Sequence, residues 1–464
     1  LINNRRRAPN ALSFRYISPM TRTIYIIIAV AVAAILLVFL PVILPSGAGP
    51  AYLYLIVLGL DIYLWSSIRR SLSDLSHPMA VVMRILYWFP LAMLIGASVT
   101  MFFIHFSYWR PSIRIWVFGI IVLAYASKLI PVFLLILADL LRLVKFTWRF
   151  TSHQTMPVPT AKRGISRSRF LRYTGFLGGG IVFSSMLAGM VKWVYDFRIH
   201  RVKVPLSGLP SSFSGYRIVQ ISDLHLGSWS SDKPLQEAVG LINSLNPDLV
   251  VFTGDLVNYQ TNEVDGFGDS LLDIQAPDGV VAILGNHDYG DYMMWDDEKD
   301  KTRNMDDLVG FYDKLGWRLL RNESLVISRG KDAMGIIGVE NWGANLRFPR
   351  KGDLAAAQKH LPGTVAARVL LSHDPTHWQH IVSRRNPEIG LTLSGHTHGM
   401  QMGIETKQFR WSPAQYMYRY WAGLYRKEFT NQYLYVNRGL GHIGYPGRIG
   451  ILPEITLLEL VSAN

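Results

Sequence analysis

Five long, nearly uncharged apolar runs precede residue 195, and they restrict this chain more than any other feature. They cover roughly Thr23–Leu44, Pro50–Ile68, Ile85–Phe106, Ile113–Leu141 and Tyr173–Val194. A helix of about 20 apolar residues crosses the hydrocarbon layer of a bilayer, and a helix satisfies its own backbone polar groups without water. The first, third and fifth runs meet that length easily. The second contains Asp61, and the fourth contains Lys128 and Pro131. Ionisable groups inside membrane segments usually face the bundle interior and pair there. Asp61 and Lys128 are therefore expected to hold the bundle together. A transport or proton path through them is the alternative, and no other sequence feature supports it.

Half of the 464 residues are hydrophobic, and the excess is concentrated in this stretch. From about residue 196 onward the composition is that of a soluble α/β chain. The break divides the protein into a transmembrane region of about five helices, 1–195, and a domain long enough for a full core, 196–464. There is no cysteine, which excludes a disulfide framework, a thiolate metal site and a cysteine nucleophile. The formal net charge is +14, and "NNRRRAPN", "IRRS" and "AKRGISRSRFLR" place much of it beside apolar runs. A basic chain can bind nucleic acid, but this placement reads as membrane topology signals, and no nucleic-acid partner is expected. The basic loops put the N-terminus inside. After five spans the C-terminal domain is then periplasmic or extracytoplasmic, on a multi-pass protein of a bacterial inner membrane. Four or six spans would reverse its side. "SRSRFLRYTGFLGGG" resembles a twin-arginine export signal, but its arginines are not adjacent and it is internal. It reads as the flank of the fifth span.

The C-terminal half repeats one design five times. "YRIVQISDLH" ends at Asp223 and His225, "PDLVVFTGDLVN" at Gly254 and Asp255, and "GVVAILGNHD" at Asn286, His287 and Asp288. "ARVLLSHDP" ends at His373, and "IGLTLSGHTHG" at His396 and His398. Short runs rich in Val, Ile and Leu suit strands buried on both faces. Open α/β sheets gather ligands beyond their strand ends, so five separated segments can bring polar tips to one rim. Imidazole, carboxylate and carboxamide without thiolate suit Mn, Fe, Zn or similar divalent ions. Two Asp, one Asn and four His from among these tips would already be too many for one ion and about right for two. Two ions about 3.5–4 Å apart can clamp a phosphoryl group. Each motif alone is weak, because a lone histidine at a strand end is usually a satisfied polar residue. All five in this order, each after a hydrophobic strand, are hard to obtain by chance.

This set resembles the calcineurin-like metallophosphoesterase superfamily over about Tyr216 to Leu460. Its D-x-H, G-D-x-x-D, G-N-H-D/E, later H and G-H-x-H pattern reads here as Asp223-Leu-His225, Gly254-Asp255-Leu-Val-Asn258, Gly285-Asn286-His287-Asp288, His373 and Gly395-His396-Thr397-His398. Within the superfamily, "GHTHGMQ", "LYVNRGLGHIGYPGRIGILPEI" and "WSPAQYMYRYWAGLY" are similar to a membrane-anchored bacterial subgroup, in particular its Bacteroidetes-type relatives. The resemblance implies an α/β fold, a four-layer α/β sandwich behind the transmembrane helices. It implies one metal held by Asp223, His225, Asp255 and His398, and a second held by Asp255, Asn286, His373 and His396. His287 would protonate the leaving oxygen and Asp288 would orient its ring. The family's second Asp of G-D-x-x-D is Asn258 here, which puts the outer hydrogen bonding and the metal preference in question.

Three stretches are candidates for substrate contact. "YGDYMMWDDEKDKTRN" places Tyr292, Met293, Met294 and Trp295 directly after the GNHD loop, as a lid or lipid-contacting lip or as an insertion packed on its own domain. "GVENWGAN" could bring Asn341 and Trp342 to the same rim. "FRWSPAQYMYRYWAGLYRKEF" interleaves aromatics with basic residues, which suits a headgroup interface better than base stacking here, although core packing explains it equally. The expectation is a membrane-bound, metal-dependent phosphoesterase, a phosphodiesterase by preference, acting on an envelope-associated or lipid phosphoester. The alternatives are a cytoplasm-facing pyrophosphatase of a nucleotide-activated lipid and a transporter or sensor regulated by its phosphoesterase domain.

Overall fold

The computed structural model describes residues 49–72, 75–151, 167–406 and 408–463. The expected span Thr23–Leu44 lies outside the described residues. Four long helices come first: α1 (Gly49–Leu72), α2 (His77–Phe103), α3 (Pro111–Thr151) and α4 (Arg167–Val191). Among the described residues, His77–Phe103, Pro111–Lys145 and Phe170–Tyr195 are long and apolar enough to cross a membrane. The chain forms two compact units. One comprises the residues up to Leu94 with Ala124–Phe183, the other Ile95–Leu123 with Ser184–Asn464.

In the first unit, Leu64, Val132 and Leu135 form a small buried cluster. Asp61 is fully buried beside it. Its carboxylate accepts from Lys128 Nζ at 2.6 Å and from the Tyr125 hydroxyl at 2.9 Å. A charge in hydrocarbon is costly unless each oxygen finds a donor, and here both do. The pairing of Asp61 with Lys128 is therefore made.

The second unit is built on two six-stranded sheets. The first runs in the order β1 (Arg198–Leu206), β14 (Glu454–Ser462), β2 (Arg217–Ile221), β3 (Leu249–Phe252), β4 (Val280–Ala282) and β5 (Arg318–Leu319). The second runs β12 (Gly423–Arg426), β13 (Tyr433–Val436), β9 (Leu391–Ser394), β8 (Ala367–Leu371), β7 (Asp332–Gly338) and β6 (Glu323–Arg329). A short hairpin of β10 (Ile404–Glu405) and β11 (Arg410–Trp411) stands apart from both. Strands β2, β3 and β4 pair in parallel, as do β7, β8, β9 and β13.

Alternation along the strands splits the core. Ile218, Val251 and Val281 face Ile336, Val369 and Leu393 between the sheets. Val219, Val250 and Phe252 point outward, where α5 (Lys233–Ser244) and α6 (Glu298–Lys314) bring Leu235, Ile242, Leu308 and Tyr312. On the far side, Ile337, Leu370 and Val436 meet Leu354 and Ala357 of α7 (Leu354–Gln358) together with Trp378. The order of layers is helix, sheet, sheet, helix, as the four-layer sandwich requires. Burying each such side chain contributes about 1.5–3 kcal/mol relative to exposure, so the loops on the shared rim hang from a rigid frame.

One segment differs from its sequence reading. "FRIHRVKVPLSG" reads as an extended connector, but Arg198–Leu206 is strand β1, paired in parallel with β14 over its whole length. Its partner lies some 250 residues further along the chain, so no local window shows the pairing.

Candidate active site

The rim beyond the parallel strands collects the polar tips. After β2 the backbone turns sharply, with φ of 53° at Asp223 and 47° at His225. Asp255, His396 and His398 also take positive φ, at 60°, 72° and 50°. Each such residue costs of order 1–3 kcal/mol unless its surroundings enforce it. Strain concentrated on five metal-type side chains marks a functional site.

Two buried groups of ligand-type atoms result. Asp223, His225 and His398 form one, and Asp255, His373 and His396 the other. In the first, His225 Nε2 and His398 Nε2 face each other at 3.1 Å, and His398 Nε2 lies 3.2 Å from Asp223 Oδ1. His225 Nδ1 is engaged by the Asn258 side chain at 3.0 Å, so its Nε2 is left to face the site. In the second, His373 Nε2 lies 3.1 Å from Asp255 Oδ2, and its Nδ1 is held by the Thr253 carbonyl at 2.7 Å. His396 turns Nδ1 toward His373 Nε2 at 3.3 Å, while its Nε2 meets the Tyr418 hydroxyl at 2.9 Å.

Asp255 Oδ2 also lies 3.6 Å from His225 Nε2, so one oxygen faces both groups. Its Oδ1 is held away by the His287 backbone N–H at 2.8 Å. Close glycines make this possible. A Cβ on Gly285 would fall 2.2 Å from Asp255 Oδ1, and one on Gly395 2.2 Å from Asp223 Oδ2.

The donors fit two divalent ions. Asn286 Oδ1 is buried without a hydrogen-bond partner, which a native protein tolerates only with a reason such as an ion. Its Nδ2 is fixed by the Tyr292 hydroxyl at 2.9 Å, so the oxygen is the free ligand atom. The outer nitrogens of His225 and His373 are engaged by Asn258 and by the Thr253 carbonyl, so their Nε2 atoms turn to the site, the arrangement that metal-ligating histidines use. The electrostatics agree. Burial pushes the His373 imidazole down, but the Asp255 and Asp223 carboxylates overcome this and raise it to about 10. Burial pushes the Asp255 carboxyl up, yet His373, His287 and His225 hold it well below the usual range. The pocket wants positive charge.

His287 lies beside these groups, its ring edge-on to His225 at 4.9 Å and tilted over Tyr292 at 4.3 Å. Its Nδ1 contacts the Asn258 carbonyl at 2.8 Å. Orientation of this ring thus falls to Asn258, not to Asp288 as the sequence reading has it. The Asp288 carboxylate instead accepts the backbone N–H groups of Gly285, Asp255, Leu256 and Val257. It is buried under the strand ends and braces the bridging loop, out of reach of the ring.

The substrate candidates separate. Tyr292 is at the site. Trp295 folds back onto the Gly290 carbonyl at 2.7 Å and Met293 is buried, so of that loop's four apolar side chains, Tyr292 to Trp295, Met294 alone is well exposed. The expected apolar lip is mostly self-packed. Asn341 is fully buried and ties the Pro349 carbonyl. Trp342 lies tilted against His377 at 5.0 Å and lines a separate hollow of about 690 Å³. From that loop it is Phe348 that meets the ligands, edge-on to His396 at 4.8 Å. Phe348 was not among the sequence candidates, whereas Tyr418 lies within the aromatic and basic stretch "FRWSPAQYMYRYWAGLYRKEF" without having been singled out.

Comparison with known proteins agrees with this geometry. Residues 216–400 match the family described as "Calcineurin-like phosphoesterase", and residues 50–193 match "Probable Calcineurin-like phosphoesterase, transmembrane domain". The four-layer fold and its site thus define a calcineurin-like metallophosphoesterase, a hydrolase. The chain belongs to the members of that family that carry a transmembrane domain. It is 28% identical over 423 residues to the "Transmembrane protein with metallophosphoesterase domain" of Danio rerio, covering 88% of each chain. It is 29% identical to the "UDP-2,3-diacylglucosamine pyrophosphatase LpxG" of Chlamydia trachomatis, over 50% of this chain and 81% of that one. It is 26% identical to the "Phosphodiesterase YaeI" of Escherichia coli, over 64% of this chain and all of that one.

Proposed function

We propose that the protein hydrolyses a lipid or envelope-associated phosphodiester at the extracytoplasmic face of the membrane, through two metal ions. Asp223, His225, Asp255 and His398 are assigned to one ion, and Asp255, Asn286, His373 and His396 to the other. Bound there, two divalent ions supply Lewis acidity to a phosphoryl group and make water nucleophilic near neutral pH. The protein's own part is positioning. Asp255, which faces both ligand groups, would help to hold both ions, and Tyr418 engages His396 Nε2 so that Nδ1 is left to face the site. His287 is assigned to protonate the leaving oxygen. Burial lowers its pKa, with Asp255 and the Asn258 carbonyl opposing, and an arriving phosphate adds negative charge that favours the protonated ring.

The observation that carries the lipid reading is the apolar surface leading to the metal mouth. Tyr416 and Met417 are 77% and 63% exposed and immediately precede Tyr418. Ile404 and Phe409 of the neighbouring hairpin are also more than half exposed. The hairpin's base, Met402, bridges to Ile449, and the adjoining Arg448 N–H bonds the Gly189 carbonyl at the end of α4. An apolar patch of this kind near a membrane helix suits an acyl-bearing substrate.

The test is a panel of substrates for the purified, metal-loaded full chain: a phospholipid, a nucleotide diphosphate lipid and a nitrophenyl phosphodiester, with Asp255→Ala as blank. Preference for a bilayer-embedded diester supports the reading. Preference for the nucleotide diphosphate lipid favours the pyrophosphatase reading, which the likeness to LpxG supports. Preference for the soluble ester alone rejects a lipid substrate.

A further inference from the structure

In sequence Arg114, together with Arg110, reads as a charge of the loop before the fourth apolar run. The structure puts it elsewhere. It lies in the first turn of α3, and its side chain is buried at 5% exposure. Its Nη2 donates to the Gly227 carbonyl at 2.5 Å and lies 3.6 Å from the Glu263 carboxylate. The guanidinium packs over the Tyr259 ring at 4.9 Å and the Phe106 ring at 5.8 Å. All these residues belong to the same compact unit.

Glu263 connects this cation to the site. Its Oε2 accepts the N–H of Asn258 at 2.5 Å and that of Tyr259 at 3.3 Å. The Tyr259 N–H and the Asn258 carbonyl belong to one peptide unit, and that carbonyl engages His287 Nδ1. A peptide is planar, so gripping the N–H sets the direction of the carbonyl and with it the ring. The Asn258 side chain holds His225 Nδ1 on one side and donates to Ser228 Oγ at 2.7 Å on the other. Gly227, bonded by Arg114, follows His225 by two residues and fits flat against the Glu263 carboxylate, where a Cβ would overlap it at 2.2 Å. Burial pushes the Glu263 carboxyl up, while the Asn258 N–H and Arg114 oppose this. A carboxylate so buried needs a counter-cation to keep its grip.

We infer that Arg114 is a positioning residue for the leaving-group acid His287, so that the membrane-domain sequence completes the active site. The inference rests on the role assigned to His287 above. It has a chemical signature. General-acid assistance matters for a poor leaving group and little for one that leaves as a stable anion.

The experiment uses the full chain in detergent, as wild type, Arg114→Met and Arg114→Lys. The probes are a methyl nitrophenyl phosphodiester and a dialkyl phosphodiester. Arg114→Met is expected to lower kcat on the dialkyl ester by about 100-fold and on the nitrophenyl ester by less than about 10-fold. KM and bound metal should stay near wild type, and Arg114→Lys should recover part of the loss. Parallel losses on both esters, or none, overturn the inference. If Arg114→Met folds poorly, the double variant Arg114→Met/Glu263→Gln removes the unpaired carboxylate, and the same leaving-group contrast is read there. Hydrogen exchange at the Asn258 and Tyr259 amides supplies a readout that needs no substrate. Faster exchange in Arg114→Met supports the inference, and unchanged exchange overturns it. Wild type inert on both esters sinks the functional reading alone, with exchange still deciding the place of Arg114.

Discussion

Gly285→Ala is the sharpest test of the bridging carboxylate. The added methyl would lie 2.2 Å from Asp255 Oδ1 and 2.6 Å from the Asp255 backbone nitrogen, whereas ordinary contact begins near 3.4 Å. More than an ångström must be found. Backbone retreat is blocked, because Gly254 packs so closely behind that its own Cβ would sit 2.4 Å from the Gly285 nitrogen. Rotation of the Asp255 carboxylate relieves only the clash with Oδ1; the contact with the Asp255 nitrogen also pushes that residue's backbone. Oδ1 then loses the His287 N–H, and Oδ2 leaves its place between the two ligand groups. Overpacking of this kind costs about 1–3 kcal/mol, and a misplacement of about 1 Å at a reacting centre costs about 100-fold in rate. The assay is metal content by elemental analysis, kcat on a nitrophenyl phosphodiester and thermal unfolding. Both metals should weaken together, kcat should fall about 100-fold and Tm by several degrees. Gly310→Ala, which meets nothing within 4 Å inside α6, should leave metal content and kcat unchanged and should not lower Tm, because alanine suits a helix interior better than glycine. A Gly285→Ala protein that keeps two metals and most of its turnover would refute the bridge.

Three further outcomes are expected. Tyr418→Phe removes the partner of His396 Nε2 and should weaken one of the two metals by about 10–100-fold; equal binding of both ions in a metal titration would contradict the assignment. The Arg438 guanidinium overcomes burial and holds Glu454 down to about 2, so the ionised pair's contribution is complete above the ordinary carboxylate range and is lost as pH falls toward 2. That contribution is about 3 kcal/mol, and Glu454→Gln should flatten the loss of Tm between pH about 4.5 and 2; an unchanged acid limb would count against it. Finally, a C-terminal reporter fusion should behave as exported, because basic loops set the orientation; a cytoplasmic readout would reverse the proposed side and favour the pyrophosphatase reading.

The parallel strands β2, β3, β4, β8 and β9 were legible because each is a short apolar run closed by a polar tip. The ligand-type residues were legible for the same reason, since spacing after a strand end decides which side chains can meet. What was not legible depends on distant partners. Strand β1 is half exposed and basic, and only its register with β14 makes it a strand. Asp288 looked like a ring-orienting group because it adjoins His287, yet the turn aims it inward at four backbone amides. Tyr292 and Trp295 stood three residues apart in one apolar stretch, but a bend at Met293 between them sends one to Asn286 and the other back on its own loop. Arg114 carried an ordinary topology charge in sequence. Its burial depends on Glu263, which lies 149 residues later and has no motif around it.

The sheet order has a consequence for how the domain is made. Strand β14 lies between β1 and β2, although it is synthesised after every other strand. Until residues 454–462 have emerged, β1 has no neighbour and β2 presents an open edge. Glu454, which anchors Tyr435 and Arg438 behind the metal loops, arrives at the same late moment. The domain cannot close strand by strand as the chain appears. A chain moved across a membrane in extended form would thus meet no prematurely finished domain, and a truncation before residue 454 should leave an aggregation-prone edge in place of a slightly weakened enzyme.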